Sequence, residues 1–367
     1  MIHKILISDR DFNPIEEIQD IAGNLGWGYN RNGGCGSFNF DVPLKYCNDL
    51  IFGGNFNIKI YRRNPSTKAF DLWYQGRIEN NNNDVRPSVE TISISGLGYL
   101  SELSDVYIDA DFSSQEISVV VKNLLDNYIV PNTNITYSAS DIEATTFTPN
   151  TLTFNTNALD AMQTLADIVG SREWGVDANR KFFFKARSSS VGFRFPLSDK
   201  VTNFSHDTSS KQIINRVIVV GGGEPPFTAT YDDTTSQLKW KRRDLLIQNS
   251  AITTTQVASQ YADATFAEFN DVSRRARLTL LNEQQIESTI PIPLVNIISR
   301  QITYGQMTYG SFLYSGFINY QINRVNYNIT QEGVMTIDLE LGILRPSVAE
   351  TLNQLDYELR QLQTSSL

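Results

Sequence analysis

His3 and His206 are the only histidines of the chain, and Cys35 and Cys47 its only cysteines, so these four residues bound the nucleophilic and metal chemistry open to it. A Ser-His-Asp or Cys-His site needs an imidazole that holds and deprotonates its nucleophile, and neither histidine carries a local signature with a serine or cysteine. His206 and Asp207 read as a polar turn. The cysteines have no CxxC spacing and no His-rich companion, which excludes the common zinc sets. Two buried or half-buried free thiols are expected instead. No HExxH or EF-hand spacing occurs. Gly221-Gly222-Gly223 follows a predicted strand in the manner of a phosphate-binding loop, but Glu224-Pro225-Pro226 cannot open a helix with free amides and no Gly-Lys-Ser/Thr follows. A strand-to-loop hinge is the expectation. Glu173 beside Trp174 is the first candidate for the acid of a glycosidase carboxylate pair. Its place between a predicted helix and hairpin favours a solvated carboxylate next to a core tryptophan. No catalytic, cofactor-binding or metal-binding residue is predicted, and the chain is read as not an enzyme.

The elements that hold these residues are mostly strands. Hydrophobic residues make up 41% of 367, enough to bury a sizeable core in two to four domains. Alternation places Phe38, Phe40 and Val42 on one face of a strand and Ile58 and Ile60 on one face of another. Strands are also predicted over residues 72–78 and 89–95, separated by a polar loop at Asn80 to Asp84. The period then lengthens to that of a helix, with Ile117, Val120, Val121, Leu124, Leu125 and Tyr128 on one side and a capping box from Ser113 to Glu116. A second helix is predicted over about 157–169, with Leu159, Met162, Leu165, Ala166 and Val169 as its stripe and Gly170 as its stop. A hairpin follows, pairing Trp174 and Val176 with Phe182 and Phe184. Strands resume at Arg216 and continue through 286–294, 320–329 and 334–341, interrupted by a helix near 255–269. The reading is mainly β with an α+β insertion. It comprises a first antiparallel β-barrel over 1–100, a helix-hairpin α/β domain over 101–200, a second barrel over 201–345 and a C-terminal helix over 346–367. In that last segment Val348, Leu352, Leu355, Leu359 and Leu362 follow a heptad seam about two repeats long. A helix packed on its own domain and helices meeting at a symmetry axis both fit it.

The formal charge of −9, from 40 acidic and 31 basic residues, lacks the basic footprint that displaces counterions from nucleic acid. One basic run, Lys239-Trp240-Lys241-Arg242-Arg243, reads as a solvated strand or loop. No run approaches the ~20 apolar residues that span a bilayer, and Met1 to Asp11 lacks a secretory layout. A soluble chain made in a cytoplasm, with no membrane partner, is expected.

Residues Gly28 to Phe40 contain an Arg followed by the turn Gly33, Gly34, Cys35 and Gly36, and then an alternating aromatic strand. This resembles a turn found in tail proteins of long-tailed bacteriophages. Trp73 to Gly76 leading to Ser95-Gly96-Leu97-Gly98-Tyr99-Leu100 is similar to the same family in order, as are the unit from Leu159 to Phe184, Asn215 to Gly221, and Glu340-Leu341-Gly342. The resemblance implies the baseplate or tail hub fold, in which two tube-like barrels from each of three subunits make a pseudo-six-fold ring. That ring would join a hexameric tail tube or distal-tail protein to a central fibre or tip protein, with the tape-measure protein and DNA passing through and no cofactor required. A distal-tail or receptor-binding tail-tip protein is the alternative, and a glycan-degrading tail enzyme a more distant one. Location in the virion, after assembly in the host cytoplasm, follows from the same resemblance.

Overall fold

The structure is a computed structural model that describes residues 3–19, 23–43, 56–64, 67–82, 91–170, 172–186, 191–194, 201–222, 225–281, 296–299, 318–330 and 334–342. It is mainly β. The first part of the chain forms β1 (His3–Ser8), β2 (Pro14–Ile18), β3 (Gly23–Asn30), β4 (Gly33–Pro43), β5 (Asn57–Arg63), β6 (Phe70–Asn82) and β7 (Thr91–Leu97). The middle forms β8 (Tyr107–Ser113), α1 (Ile117–Leu124), β9 (Thr151–Asn157), α2 (Ala158–Val169), β10 (Arg172–Val176) and β11 (Phe182–Ala186). There follow β12 (Val191–Arg194), β13 (Val201–Ser209), β14 (Arg216–Gly221), β15 (Phe227–Asp232), α3 (Thr234–Trp240), β16 (Asp244–Asn249) and α4 (Thr255–Phe269). The chain closes its described part with β17 (Ser273–Leu281), β18 (Asn296–Ser299), β19 (Ile318–Ile329) and β20 (Met335–Gly342).

Period-two patterning becomes sheet as expected. Phe38, Phe40 and Val42 of β4 are buried, as are Ile58 and Ile60 of β5 and Met335, Ile337, Leu339 and Leu341 of β20. These strands lie in one sheet with the path β13-β17-β20-β19-β3-β4-β7-β6-β5-β1-β2. Two separate tube-like barrels were the expectation, but among the described residues no closed barrel forms. The edge of β3 away from β4 is taken by β19, antiparallel, with Trp27 opposite Tyr327. Strands β1 to β7 and strands β13, β17, β19 and β20 thereby share a sheet and a single hydrophobic core. Their junction is filled by Tyr327, stacked on Trp27 at 5.1 Å between ring centroids and edge-on to Trp73 at 5.3 Å. The polar stretch expected to be a loop from Asn80 is strand as far as Asn82, because β6 stays paired to β7 up to Asn82 opposite Ser93.

A second core lies beside this sheet. It gathers α1, α2, the hairpin β10–β11 and the two-stranded sheet β8–β9. It also takes in Val217 and Val219 of β14 and Val257, Ala258 and Ala262 of α4, so residues of 214–262 return to the core begun at Tyr99. β14 is the central strand of a three-stranded sheet between β15 and β16. β14 ends at Gly221, and the next described element is antiparallel β15, not a helix.

Helix α2 begins and ends as its sequence dictates. The Asn157 side chain accepts from the Asp160 amide at 2.8 Å, and Gly170 closes the helix at φ +64°. Its burial is broader than the predicted stripe: Ala158, Ala161 and Ile168 are buried too, while Val169 is only partly so. The reason is that α1, α4, β9 and β10 all pack against it. The capping box at α1 does not form. Ser113 ends β8, and Glu116 is itself the N-cap residue, its carboxylate accepting from the Thr145 amide at 2.7 Å and from the hydroxyls of Thr145 and Ser118. The helix near 255–269 is α4. The predicted strand at 286–294 and the seam Leu352, Leu355, Leu359 and Leu362 lie outside the described residues, as does Cys47.

Leu165 of α2 is fully buried in the second core. Leu165→Ala is expected to cost about 2–5 kcal/mol and Asn157→Ala about 1 kcal/mol. Chemical denaturation checks both, and equal losses would contradict the ranking of core over cap.

Candidate functional site

The expected turn Gly33, Gly34, Cys35 and Gly36 is the start of β4, with Gly34 opposite Asn30 and Cys35 opposite Tyr29 of β3; the turn itself is Arg31-Asn32, and the glycine run beside it lies on the seam between the two cores. Gly33 and Gly34 have φ of +124° and +76°, a region that side chains with a Cβ adopt at a cost. Their conformation lets β10 run parallel to the start of β4, with Gly175 opposite Gly33 and Val176 opposite Gly34. The approach leaves no room for a side chain: a Cβ on Gly34 would stand 2.0 Å from the Val176 carbonyl oxygen. Gly175, at φ +155°, is in the same position, its Cβ falling 2.3 Å from the Gly33 carbonyl carbon. On the other flank the Gly98 amide donates to the Gly36 carbonyl at 2.8 Å. Gly175 and Gly98 were within reach of sequence reasoning, since a glycine inside or at the end of a strand marks close backbone approach.

Polar ties reinforce the seam. The Arg31 amide donates to the Asn323 carbonyl at 2.8 Å, and its guanidinium lies 3.8 Å from the Glu268 carboxylate of α4. In the β1–β2 turn, Phe12 lies beneath the Arg180 guanidinium, 3.9 Å from the ring centroid. A cavity of about 170 Å³ opens beside the turn, lined among others by Tyr29, Asn30, Arg31, Asp177, Lys181 and Lys185. Lys185, Asp141 and Asp177 of its lining are committed to structure. Lys185 pairs with Asp141 at 3.1 Å, and Asp177 Oδ1 accepts from the amides of Asn179 and Lys181, which closes the β10–β11 hairpin. Burial raises the Asp177 carboxyl above its usual range, partly offset by those amides.

The remaining candidates are also absorbed by the fold. Cys35 is buried, and burial pushes its thiol up, away from the thiolate that redox or nucleophilic chemistry requires. Burial, aided by the nearby Arg62 charge, lowers His3 from the ordinary 6.5 to about 3, beside Trp27 at 5.9 Å. His206 lies in β13 opposite Ala276, not in a turn, because the strand continues to Ser209. Glu173 departs from the expectation of a solvated carboxylate: it lies in β10 and is buried, next to the core residue Trp174. The basic run is neither strand nor simple loop at its start. Lys239 and Trp240 end α3 and bind Asp271, at 3.0 and 3.1 Å, while Arg242 pairs with Asp244 at 2.7 Å. Among the described residues no group of three or more His, Cys, Asp or Glu could hold a metal ion, and no helix is long and apolar enough to cross a membrane.

Gly34→Ala is expected to cost more than about 2 kcal/mol, through left-handed strain and displacement of β10. Cys35→Ala, which needs no backbone movement, is expected to cost about 1 kcal/mol. Thermal unfolding of both variants checks this, and an unaffected Gly34→Ala would show that β10 does not press on the turn. His3 makes a pH prediction. Its folded-state value lies below the unfolded one, so the neutral form stabilises above 6.5 and stability is lost as pH falls from 6.5 toward 3. His3→Gln is expected to flatten that part of a urea-midpoint profile, and an unchanged acid limb would exclude His3 as its source.

No family model and no curated protein sequence matches the chain. Solved structures do. The 43 kDa tail protein of prophage MuSo2 from Shewanella oneidensis superposes with a TM-score of 0.63 at 14% identity, over 94% of this chain and 98% of that one. The tail protein from Neisseria meningitidis MC58 gives 0.63 at 10% identity, over 93% and 96%. Prophage tail protein gp18 from Listeria monocytogenes EGD-e gives 0.57 at 14% identity, over 97% and 99%. Along nearly its whole length the chain therefore has the fold of phage and prophage tail proteins, the group its glycine turn and strand motifs resemble.

Proposed function

We propose that the chain is a structural subunit of a phage tail tip, three copies of which form a hub ring between the tail tube and the central fibre or distal tip. The observation that carries this reading is the end-to-end fold match with proteins described as tail proteins, with coverage above nine-tenths of both chains in each case. A seam made of glycine backbone, with the Cys35 thiol buried within it and His3 half-buried against Trp27, suits a structural part. In this reading the chain is not an enzyme and needs no cofactor. The regions 1–100 and 201–345 would face the tube, the region 101–200 would stand off it, and residues 214–262 would return to that standing-off core. Its partners would be two further copies, a tube or distal-tail protein, a fibre or tip protein, and the tape-measure protein. The protein would be assembled in the host cytoplasm and retained in the virion.

DNA would be cargo only. A lysine-lined channel would bind phosphates and slow their passage, and the balance of −9 suits a neutral or acidic lining. Light scattering on the purified protein, alone and mixed with its tube protein, is expected to give a particle of three chains, and electron microscopy a ring without a continuous Lys/Arg lining. A persistent monomer under both conditions, or tight salt-sensitive binding of duplex DNA, would overturn the hub reading. A monomer that binds host-surface glycan would favour the receptor-binding alternative.

A further inference from the structure

The two-stranded sheet β8–β9 turns Ile108, Phe112, Leu152 and Phe154 into the second core. Successive side chains of a strand point to opposite faces, so Tyr107, Asp109 and Asp111 share the outer face, where all three are exposed. Tyr107 is 60% exposed even though its hydroxyl donates to Oδ1 of Asn155, the residue of β9 opposite Asp109. A ring held to the sheet at its Cα and at its hydroxyl lies along the strands, and the area it shows to solvent is one face of its π system. That face carries partial negative charge.

At three other places in the molecule one cation joins an aromatic ring to a carboxylate. Lys4 binds Glu17 at 2.9 Å and stands 5.3 and 5.0 Å from the ring centroids of Tyr61 and Phe70. Lys239 binds Asp271 at 3.0 Å and stands 4.6 Å from the Trp240 ring. The Arg172 guanidinium lies 3.8 Å from Glu143 and 5.8 Å from the Phe184 ring. On the β8–β9 face the ring and the carboxylates are present without their cation: among the described residues no Lys or Arg contacts Tyr107, Asp109 or Asp111. A neutral or acidic partner laid on this face would leave two carboxylates desolvated and unpaired, at a cost. A guanidinium or ammonium group satisfies both features, by stacking on the ring and by charge-assisted hydrogen bonds to the carboxylates. Alternate residues of an extended chain repeat at about 6.7 Å, so Tyr107, Asp109 and Asp111 match the spacing of a segment that carries a cation at every second position.

We propose that the outer face of β8–β9 docks an extended segment of a partner protein with Arg or Lys at alternate residues, one cation over Tyr107 and the next two on Asp109 and Asp111. Exposed ion pairs and cation–π contacts are individually weak, and it is their repetition at matched spacing that gives this face its selectivity. The assignment does not rest on the ring of three copies, because the whole face belongs to one chain.

Fluorescence anisotropy of a dye-labelled Gly-Arg-Gly-Arg-Gly-Arg-Gly peptide, titrated with the full chain at low salt, tests it. Asp109→Asn with Asp111→Asn is expected to weaken binding about tenfold, and Tyr107→Ala about threefold. A chain of charge −9 attracts any cationic peptide loosely. The control is therefore Asp11→Asn with Asp263→Asn, which removes the same charge at two other exposed positions and is expected to weaken binding less than about twofold. Asn keeps the shape of Asp, and an unchanged unfolding midpoint verifies that the fold is intact in both pairs. Equal losses in the two pairs would make the attraction a property of net charge and overturn the proposal. So would a peptide that does not bind, or a neutral oligosaccharide whose binding is lost with Tyr107→Ala and kept in the Asp109→Asn, Asp111→Asn pair.

Discussion

Two hydrophobic cores are held in register by a backbone-to-backbone contact that only glycine permits. Where β10 meets the start of β4, Gly34 and Gly175 face carbonyl groups of the opposite strand at distances that exclude a Cβ. The contact is parallel and only two residue pairs long, so its hydrogen bonds alone would contribute little net stability. Its leverage comes from position. It fixes the hairpin β10–β11, which carries Trp174, Phe182 and Phe184 into the second core, against the strand that carries Phe38 and Phe40 into the first. A shift of the turn therefore disturbs aromatic packing on both sides at once, and close-packed interiors relax poorly around such shifts.

The other ties differ in kind and lie at different places. Arg31 joins the β3–β4 turn to Asn323 of β19 through its backbone and to Glu268 of α4 through its side chain. Phe12 and Arg180 join the β1–β2 turn to the hairpin. A contact of backbone shape, a charge pair and a cation over a ring do not weaken under the same conditions: salt screens the ion pair, whereas the glycine contact is steric. Three attachments around one seam also resist rotation, which a single short strand pair could not. This arrangement accounts for the fate of residues that might have done chemistry. Cys35 is buried at the start of β4, opposite Tyr29, and Asp177 closes the adjoining hairpin with its carboxylate on two amides. They are held by the requirements of the seam.

What was legible in the sequence is what local chemistry decides. Asn157 and Gly170 bracket α2 because a side-chain acceptor and a positive φ are needed at the two ends of a helix, and the Trp174–Phe184 and Val176–Phe182 pairs follow from a short turn between alternating strands. The glycine run Gly33 to Gly36 was read as a turn, whereas it begins β4 directly after the turn Arg31-Asn32, and what it touches was not legible because Gly175 lies far along the chain. The same holds for the β3–β19 pairing, whose partners Trp27 and Tyr327 are separated by most of the sequence. Two closed barrels were extrapolated from two blocks of strands; among the described residues no closed barrel forms, and β3 and β19 pair across the two blocks. Glu116 shows a subtler failure. The residue types of a capping box were present, but Thr145 offered the Glu116 carboxylate two donors and the helix began three residues later than the motif requires.

The sheet junction adds a constraint of its own. Pairing β3 with β19 places Trp27, Trp73 and Tyr327 within about 6 Å of one another, with the Arg62 guanidinium 4.8 Å from the Trp73 ring. Large aromatic side chains bury much area at small entropic cost and prefer the stacked and edge-on contacts seen here. The first block of strands alone would leave Trp27 and Trp73 without the face that Tyr327 supplies, and the last block would expose Tyr327. Each block thus lacks part of its core until the chain has returned from the intervening 200 residues or so, a long loop closure that entropy disfavours and that only the completed cluster offsets. The α/β core between them is more local in its contacts and can form first. The glycine contact then joins the first block to that α/β core, while the β3–β19 pairing joins the two blocks to each other, so the two attachments constrain different steps of the same closure.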